Sequence, residues 1–282
     1  MTSPEESLLL PVSSFASWRI AAAAIAGANH RNLGIACQDH FQITTALALN
    51  GEPLLLLVLA DGAGSAEQGR TGAILACGFL AERITEDLAQ RSSAAGLDRA
   101  RVGLWLAELR EHLSEVAEAA GHRLRDYATT VALALVGAIA PEVGGLILQV
   151  GDSAAVYRGS GDWQIAAWPQ RGEFANSTFF VTDDELLQNF ELVPIAETVR
   201  EIALFSDGIE RLVLTHHGQS IYQPFFDLIF QPLRQQAGYG IDSRLSESLA
   251  RYLQSPTIVS RCDDDCSLIL ATSLPHSKPG ES

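Results

Sequence analysis

The chain has 282 residues, of which 47% are hydrophobic and 19% charged, and these values are typical of a globular protein and exclude global disorder. Its length allows one large domain or two small ones with a sizeable core. With 34 acidic and 19 basic side chains, the net charge is -15, which argues against a nucleic-acid partner because phosphates would be repelled. Such a surface could also concentrate divalent cations, although solubility alone explains most of these acids.

The N-terminal residues show no secretory signal. The segment MTSPEESLLLPVSS has no basic residue ahead of its short apolar patch, and no stretch of the chain reaches membrane-spanning length. We therefore expect a cytoplasmic protein without a membrane partner. We also expect a flexible lead-in over residues 1–14, one domain over residues 15–274 and a flexible tail over residues 275–282.

The cysteines show no metal-binding spacing. They form no CxxC pair, and the separation of the last two is wrong for a zinc knuckle. We interpret them as reduced thiols, which fits a cytoplasmic location. They are Cys37, Cys77, Cys262 and Cys266.

The first half of the chain changes from strand to helix periodicity. Asn50-Gly51 predicts a hairpin turn between two strands, and apolar residues at helical spacing then predict two long helices in succession. The predicted elements are strands over 18–26, 41–49 and 54–60, a loop over 27–39 and helices over 68–90 and 98–125.

The second half of the chain is mostly strands. Two long helices between two blocks of strands favour a layered α+β domain over alternating βαβ units. The predicted elements of this half are strands over 129–139, 144–150, 154–158, 163–168, 199–205 and 267–271, and helices over 224–236 and 243–254.

The stretch LLLLVLADGAGS at 54–65 passes from a buried strand to an aspartate among glycines. Taken alone, this pattern favours an ordinary turn, but an acidic residue recurs at several other strand ends. Too few basic residues exist to pair every acid, so acids that converge in space would require divalent ions between them. Oxygen ligands select magnesium, manganese or calcium over zinc. The acidic strand ends are Asp39, Asp61, Asp152, Asp207 and Asp264.

Seven short segments follow one another along nearly the whole chain. They are GANH…CQD at 27–39, ADGAGS at 60–65, ATT at 128–130, VGDS at 150–153, GEFAN at 172–176, FSDG at 205–208 and DDDCS at 263–267. In this order they resemble the motifs of the metal-dependent protein serine/threonine phosphatases of type 2C, in particular their divergent bacterial branch. The resemblance implies a four-layer α-β-β-α sandwich, an α+β fold with two antiparallel sheets flanked by helix pairs and metals at one edge.

The resemblance also implies a set of ligands for two Mn2+ or Mg2+ ions and for a weaker third ion. The implied roles are Asp61 bridging two ions, Gly62 binding one of them through its backbone carbonyl, Asp207 and Asp264 completing the shell of the first ion, Asp39 holding the second mostly through water, and Asp152 sharing the third with Asp207.

The implied reaction is hydrolysis of phosphoserine or phosphothreonine on a protein by a water or hydroxide that bridges two ions, without a phosphoenzyme. A phosphorylated protein is then the substrate, and by analogy a cognate Ser/Thr kinase acts upstream. A catalytically weakened binding or sensor module on the same fold is the alternative. A haloacid-dehalogenase-type phosphohydrolase ranks low, because Ala63 stands where its second aspartate would be.

The residues that bind phosphate and protonate the leaving group lie where this chain departs from the family's motifs. Gln38 stands where many family members have an acid, and Ala63 where some have a histidine. His30 and Arg31 are the candidates for the acid and the phosphate contact, although His30 equally fits a histidine that ties down the opening turn. Arg171 and Glu173 belong to a segment that is either a flap over the metals or a structural turn.

Overall fold

Two β-sheets stacked face to face form the centre of the fold, as seen in a computed structural model of the chain. The structure describes residue 15 and residues 17–91, 93–140, 142–171, 178–215 and 219–274. The predicted lead-in and tail, the segment 172–176 and Glu173 lie outside the described residues.

The elements follow one another in an order that groups most of the long helices between the strand blocks. They are β1 (Arg19–Ile25), α1 (Ala28–Leu33), β2 (His40–Leu47), β3 (Pro53–Ala60), α2 (Gly69–Ala89), α3 (Arg99–Ala120), a 3-10 helix (Leu124–Tyr127), β4 (Val131–Ala140), β5 (Val143–Val150), β6 (Ala154–Arg158), β7 (Gln164–Ala167), α4 (Leu186–Asn189), β8 (Glu191–Ile195), β9 (Glu201–Phe205), α5 (Asp207–Val213), β10 (Leu214–Thr215), β11 (Ser220–Ile221), α6 (Gln223–Ile229), α7 (Gln231–Arg234), β12 (Gly240–Ile241), α8 (Ser243–Leu253), α9 (Pro256–Val259) and β13 (Cys266–Thr272).

One sheet has the order β2-β3-β4-β5-β8 and the other has the order β12-β1-β13-β9-β6-β7. Every pairing within them is antiparallel except the short contact of β1 with β12, which is parallel. A separate hairpin joins β10 and β11. The predicted pair of antiparallel sheets is therefore confirmed, with one short parallel strand added at an edge.

Alternating side chains of β3 show how the layers form. Leu54, Leu56 and Val58 pack against α2 and α3, whereas Leu55, Leu57 and Leu59 pack against the other sheet. Because successive side chains of a strand point to opposite faces, an apolar run such as this one is buried on both sides. A third apolar cluster joins the six-stranded sheet to α5–α9. The four-layer sandwich is thus confirmed, with one outer layer of α8 and several short helices instead of a pair.

Several element boundaries differ from the sequence-based expectations. The expected loop over 27–39 contains α1, a short helix with no buried residue that ends at Gly34 in the left-handed region (φ 69°). The expected helix over 224–236 is divided into α6 and α7, because Pro232 lacks the amide hydrogen that a continuous helix needs. Strand β8 was not expected at all; it is an edge strand that contains Pro194, a position where proline is tolerated.

The antiparallel register brings several strand ends to one edge of the sandwich. His40 pairs with Ala60, so Asp39 and Asp61 lie across from each other where β2 begins and β3 ends. Phe205 pairs with Leu268, so the end of β9 meets the beginning of β13. Within the described residues, no helix is long and apolar enough to cross a membrane.

A buried ion-pair cluster closes the opposite edge. Glu201, at the beginning of β9, is fully buried and accepts hydrogen bonds from Arg158 Nε at 2.9 Å and from Arg234 Nε and Nη2 at 2.8 Å. Arg158 also donates to Asp227 at 2.8 Å. A buried carboxylate with two guanidinium partners has its charge and its lone pairs satisfied, so this acid has a structural role.

We predict that Glu201→Gln lowers the free energy of unfolding by about 3–5 kcal/mol, because the largely buried Arg158 and Arg234 both lose their ion pair with this carboxylate and Arg158 keeps its contact with Asp227. Glu108→Gln is the matched control: Glu108 pairs with Arg83 in a partly exposed site and should contribute at most about 1 kcal/mol. Urea titration of both variants measures the difference. Equal and small losses in the two variants would contradict the structural role of Glu201.

Candidate metal centre

The acidic strand ends gather at the edge opposite to Glu201. Strands β3, β5 and β9 end there and β2 and β13 begin there, because antiparallel neighbours run in opposite directions. Five aspartates follow or precede these strand ends, and their effects on one another's pKa, given below, show that they surround a common space. They are Asp39, Asp61, Asp152, Asp207 and Asp264.

Asp61 is held by its backbone. Its carbonyl accepts hydrogen bonds from the Thr129 hydroxyl and the Thr130 amide, both at 2.9 Å, and its own amide donates to the Thr130 hydroxyl at 3.2 Å. The ATT motif at 128–130 therefore fixes the exit of β3. The next residue must be glycine, because a Cβ on Gly62 would lie 2.4 Å from the carbonyl of Gly69 at the beginning of α2.

Asp265 ties the opening turn to the beginning of β13. Its carboxylate is buried and accepts hydrogen bonds from the Gly27 amide at 2.7 Å and the Gln38 amide at 2.5 Å, and it contacts His30 Nδ1 at 2.8 Å. The sequence analysis missed this residue within the run of three aspartates. Its position directly before the apolar strand β13 was the available sequence signal. The other two aspartates of the run are exposed.

Asp207 and Asp152 stand on short turns at the ends of β9 and β5. Asp207 is the first residue of α5, and a Cβ on the following Gly208 would lie 2.0 Å from the Asp265 carbonyl, so α5 packs directly on the turn before β13. Asp152 follows Gly151, which has a φ of 92° and donates its amide to Gln170 Oε1 at 2.7 Å.

The electrostatics of the cluster are dominated by burial and by the acids themselves. Burial raises the pKa of Asp61 well above its usual value, and the nearby charges of Asp39, Asp207, Asp152 and Asp264 raise it further. Burial and then Asp152, Asp264 and Asp39 raise the pKa of Asp207 to about 8. Each carboxylate in this group is therefore costly to ionise while the others carry charge.

Asp39 and Asp152 are also perturbed, with partial compensation. Burial raises the pKa of Asp39 to about 6, and the hydroxyls of Ser206 and Ser267 lower it in part. Burial and, to a smaller extent, Glu210 raise the pKa of Asp152 to about 6, whereas the charge of Arg171 opposes this shift. The counter-charge near the cluster is thus small compared with the negative charge that it holds.

Unpartnered oxygens provide the test of whether this cluster fits a cation. Both carboxylate oxygens of Asp39 and Oδ1 of Asp207 are buried without a hydrogen bond, as is Oε1 of Gln38. The Ser206 and Ser267 hydroxyls lie near Asp39, but neither forms a hydrogen bond of normal geometry with it. Buried oxygen atoms that lack donors are the ligands expected for Mg2+ or Mn2+, so the residues fit hard divalent ions.

The cluster is loosely arranged. Across the part of the chain that the structure describes, no three His, Cys, Asp or Glu side chains are drawn together closely enough to ligate one ion. Asp264 is exposed, and its Oδ1 accepts the Asp265 amide at 2.8 Å. The acids thus surround a common space without forming a closed set of ligands among the described residues.

The basic candidates lie around this space and have other contacts. Arg31 donates to the carbonyl of Ala26, and His30 contacts Asp265. Arg171 forms an ion pair with Glu210 at 2.9 Å. Arg70, which the sequence analysis did not consider, donates to the Cys37 carbonyl beside the opening turn.

Comparisons with known proteins agree with this geometry. The family model described as "Protein phosphatase 2C" matches residues 26–254. Serine/threonine-protein phosphatase 3 of Escherichia coli (strain K12) is 33% identical over 255 residues, which are 90% of this chain and 98% of that protein.

Solved structures show the same fold at lower identity. A point variant of a bacterial serine phosphatase has a TM-score of 0.60 at 18% identity over 90% of this chain and 98% of its own. Serine/threonine phosphatase Stp1 from Staphylococcus aureus has a TM-score of 0.58 at 16% identity over 90% of this chain and 94% of its own. The catalytic domain of PstP, in complex with 2 manganese ions, has a TM-score of 0.56 at 17% identity over 90% of this chain and 97% of its own.

The family match covers most of the chain, and the relative from Escherichia coli is similar over almost its entire length. The fold is the one that the resemblance implied. The chain therefore belongs to the protein phosphatase 2C family and is a metal-dependent protein serine/threonine phosphatase.

Proposed function

We propose that the acidic edge is the active site and that it hydrolyses phosphoserine or phosphothreonine on protein substrates with two Mn2+ or Mg2+ ions. The observation that carries this proposal is the set of buried, unpartnered oxygens on Asp39 and Asp207 beside Asp61, whose pKa is strongly raised. Structural acids do not remain uncompensated in this way, as the ion pairs of Glu201 illustrate.

In this proposal Asp61 would contribute to holding both ions, because the charges of Asp39, Asp207 and Asp264 all act on its pKa. Asp207 and Asp264 would hold the first ion, Asp39 would hold the second mostly through water, and the Gly62 carbonyl would bind one of the two. Asp152 and Asp207 would hold the weaker third ion, in accord with the effect of Asp152 on the pKa of Asp207. When bound, such ions act as Lewis acids, neutralising phosphoryl charge and lowering the pKa of water.

The protein's own residues would hold these acids in position. The hydrogen bonds of Thr129 and Thr130 fix Asp61, and Asp265 fixes the opening turn that carries Asp39. The charge of Arg171 acts on Asp152 and Arg70 contacts the Cys37 carbonyl, and we propose both, together with Arg31, as the candidates for contact with the substrate phosphate. A cytoplasmic location and a cognate Ser/Thr kinase are further proposals; the free thiols of all four cysteines support the location.

Asp61→Asn should lower Mn2+-dependent hydrolysis of para-nitrophenyl phosphate and of a phosphothreonine peptide by about 100-fold or more, because it removes charge from the centre of the cluster. The fold should persist, since the backbone contacts of residue 61 do not use the carboxylate. Asp184→Asn, at an exposed ion pair with Arg110, is the matched control and should retain activity. A fully active Asp61→Asn would reject the proposed site, and an inactive wild type that still binds Mn2+ would favour the sensor module.

The raised pKa of Asp207 predicts how stability depends on pH in a chelator. Its pKa is about 8 in the folded chain and near 3.8 when exposed, so the folded state binds more protons between these values and becomes less stable as pH rises. Asp207→Asn removes the ionisable group and therefore avoids this loss of folding stability. In EDTA the melting temperature of the variant should therefore exceed that of the wild type, and this difference should grow from about pH 5 to about pH 8.

Addition of Mn2+ should reverse this order at the upper end of the same pH range, because the metal stabilises only a folded state that can bind it. Thermal scans of both proteins with EDTA and with Mn2+ make the comparison. A difference that does not vary with pH in EDTA would show that Asp207 is not forced to carry an uncompensated charge.

The contact of His30 with Asp265 supports an anchoring role over that of a general acid. If His30 anchors the opening turn, His30→Ala should lower activity without changing the shape of the pH-rate profile. His30→Asn, which can still donate to Asp265, should then recover most of the activity. If His30 is instead the general acid, both variants should lose activity and the basic limb of the pH-rate profile should disappear.

A further inference from the structure

Two cysteine side chains meet beneath the turn that carries Asp264. Sγ of Cys262 and Sγ of Cys266 lie 3.5 Å apart, and each lies 3.5 Å from the Asp264 carbonyl. Cys266 is also 3.6 Å from the carbonyl of Gly208. The pair therefore touches the backbone at Asp264 and at Gly208, the residue after Asp207.

We propose that Cys262 and Cys266 form a redox modification site, and that oxidation of the two thiols to a disulfide weakens divalent-metal binding at the acidic edge. The second part rests on the proposed function, whereas the first part does not. The sulfur atoms need to approach by only about 1.5 Å to reach the length of a disulfide bond.

The oxidant we propose is a hydroperoxide, with hydrogen peroxide as the simplest case. Cys262 is the half-buried partner and reacts first: its sulfur attacks a peroxide oxygen, the O–O bond breaks, the thiol proton leaves with the departing oxygen as water, and a sulfenic acid remains. The buried Cys266 thiol then attacks the sulfenic sulfur, and the second oxygen leaves as water. Two thiols and one peroxide thus give one disulfide and two waters.

Oxidation would change the turn in two ways. The two S–H groups that contact the Asp264 carbonyl are lost, and the new bond draws the ends of the segment 263–265 together. Asp265, which anchors the opening turn through Gly27 and Gln38, lies within that segment. Gly208 packs against the Asp265 carbonyl so closely that a displaced turn also displaces the beginning of α5 and with it Asp207.

The test treats the full-length protein with hydrogen peroxide in EDTA, removes both by gel filtration, and then adds Mn2+. Peptide mass spectrometry under non-reducing conditions should show a linkage of Cys262 to Cys266 with loss of two hydrogen atoms. The Mn2+ concentration needed for half-maximal stabilisation against heat should rise by about 10–100-fold, the range for loss of contacts behind metal ligands. Dithiothreitol should restore the original value.

Two cysteine variants distinguish the effect of the Cys262–Cys266 disulfide from general oxidation damage. Cys262→Ala should prevent both the linkage and the loss of metal affinity, whereas Cys37→Ala, which removes another half-buried thiol, should retain both effects. Absence of the linkage in the wild type overturns the modification site. A linkage that leaves Mn2+ affinity unchanged overturns its coupling to the metals. A reduced wild type that binds Mn2+ without phosphatase activity overturns the proposed function but not this inference.

Discussion

The structure depends on how buried carboxylates are compensated. Strand β9 shows the two possible solutions at its two ends. At its beginning, Glu201 is surrounded by Arg158 and Arg234, and its charge is satisfied within the protein. Just beyond its end, Asp207 faces other aspartates and one of its oxygens has no partner. An ionised carboxylate in a protein interior requires counter-charge, and in the proposed function ions from solution supply it to the second arrangement.

The layered core holds the acidic edge rigidly in place. Strand β3 is buried on both faces, between the α2–α3 layer on one side and the second sheet on the other, so it cannot shift without disrupting two cores. Asp61 stands where this strand leaves the core, and Thr129 and Thr130 hold its backbone. Mutual repulsion of the acids is thereby resisted by packing that lies outside the site.

The turn before β13 has the opposite character, since polar groups hold it. It is secured by the hydrogen bonds of Asp265 and by the two cysteines beneath it. The acidic edge therefore combines one rigid strand exit with one turn held by polar groups. The polar contacts and the two thiols of this turn are the basis of the redox modification that we propose there.

The sequence by itself determined the main strands, the long helices α2 and α3, the hairpin at Asn50-Gly51 and the acidic character of five strand ends, because periodicity and turn chemistry are local properties. It could not determine α1, the break between α6 and α7, or β8, whose short segments are defined by their neighbours. The tertiary structure alone decided that five aspartates distant in sequence share one edge, that Asp265 is turned inward to tie His30 and the opening turn, and that Cys262 and Cys266 touch. The physical reason is that strand register and sheet stacking, which are non-local, set these distances.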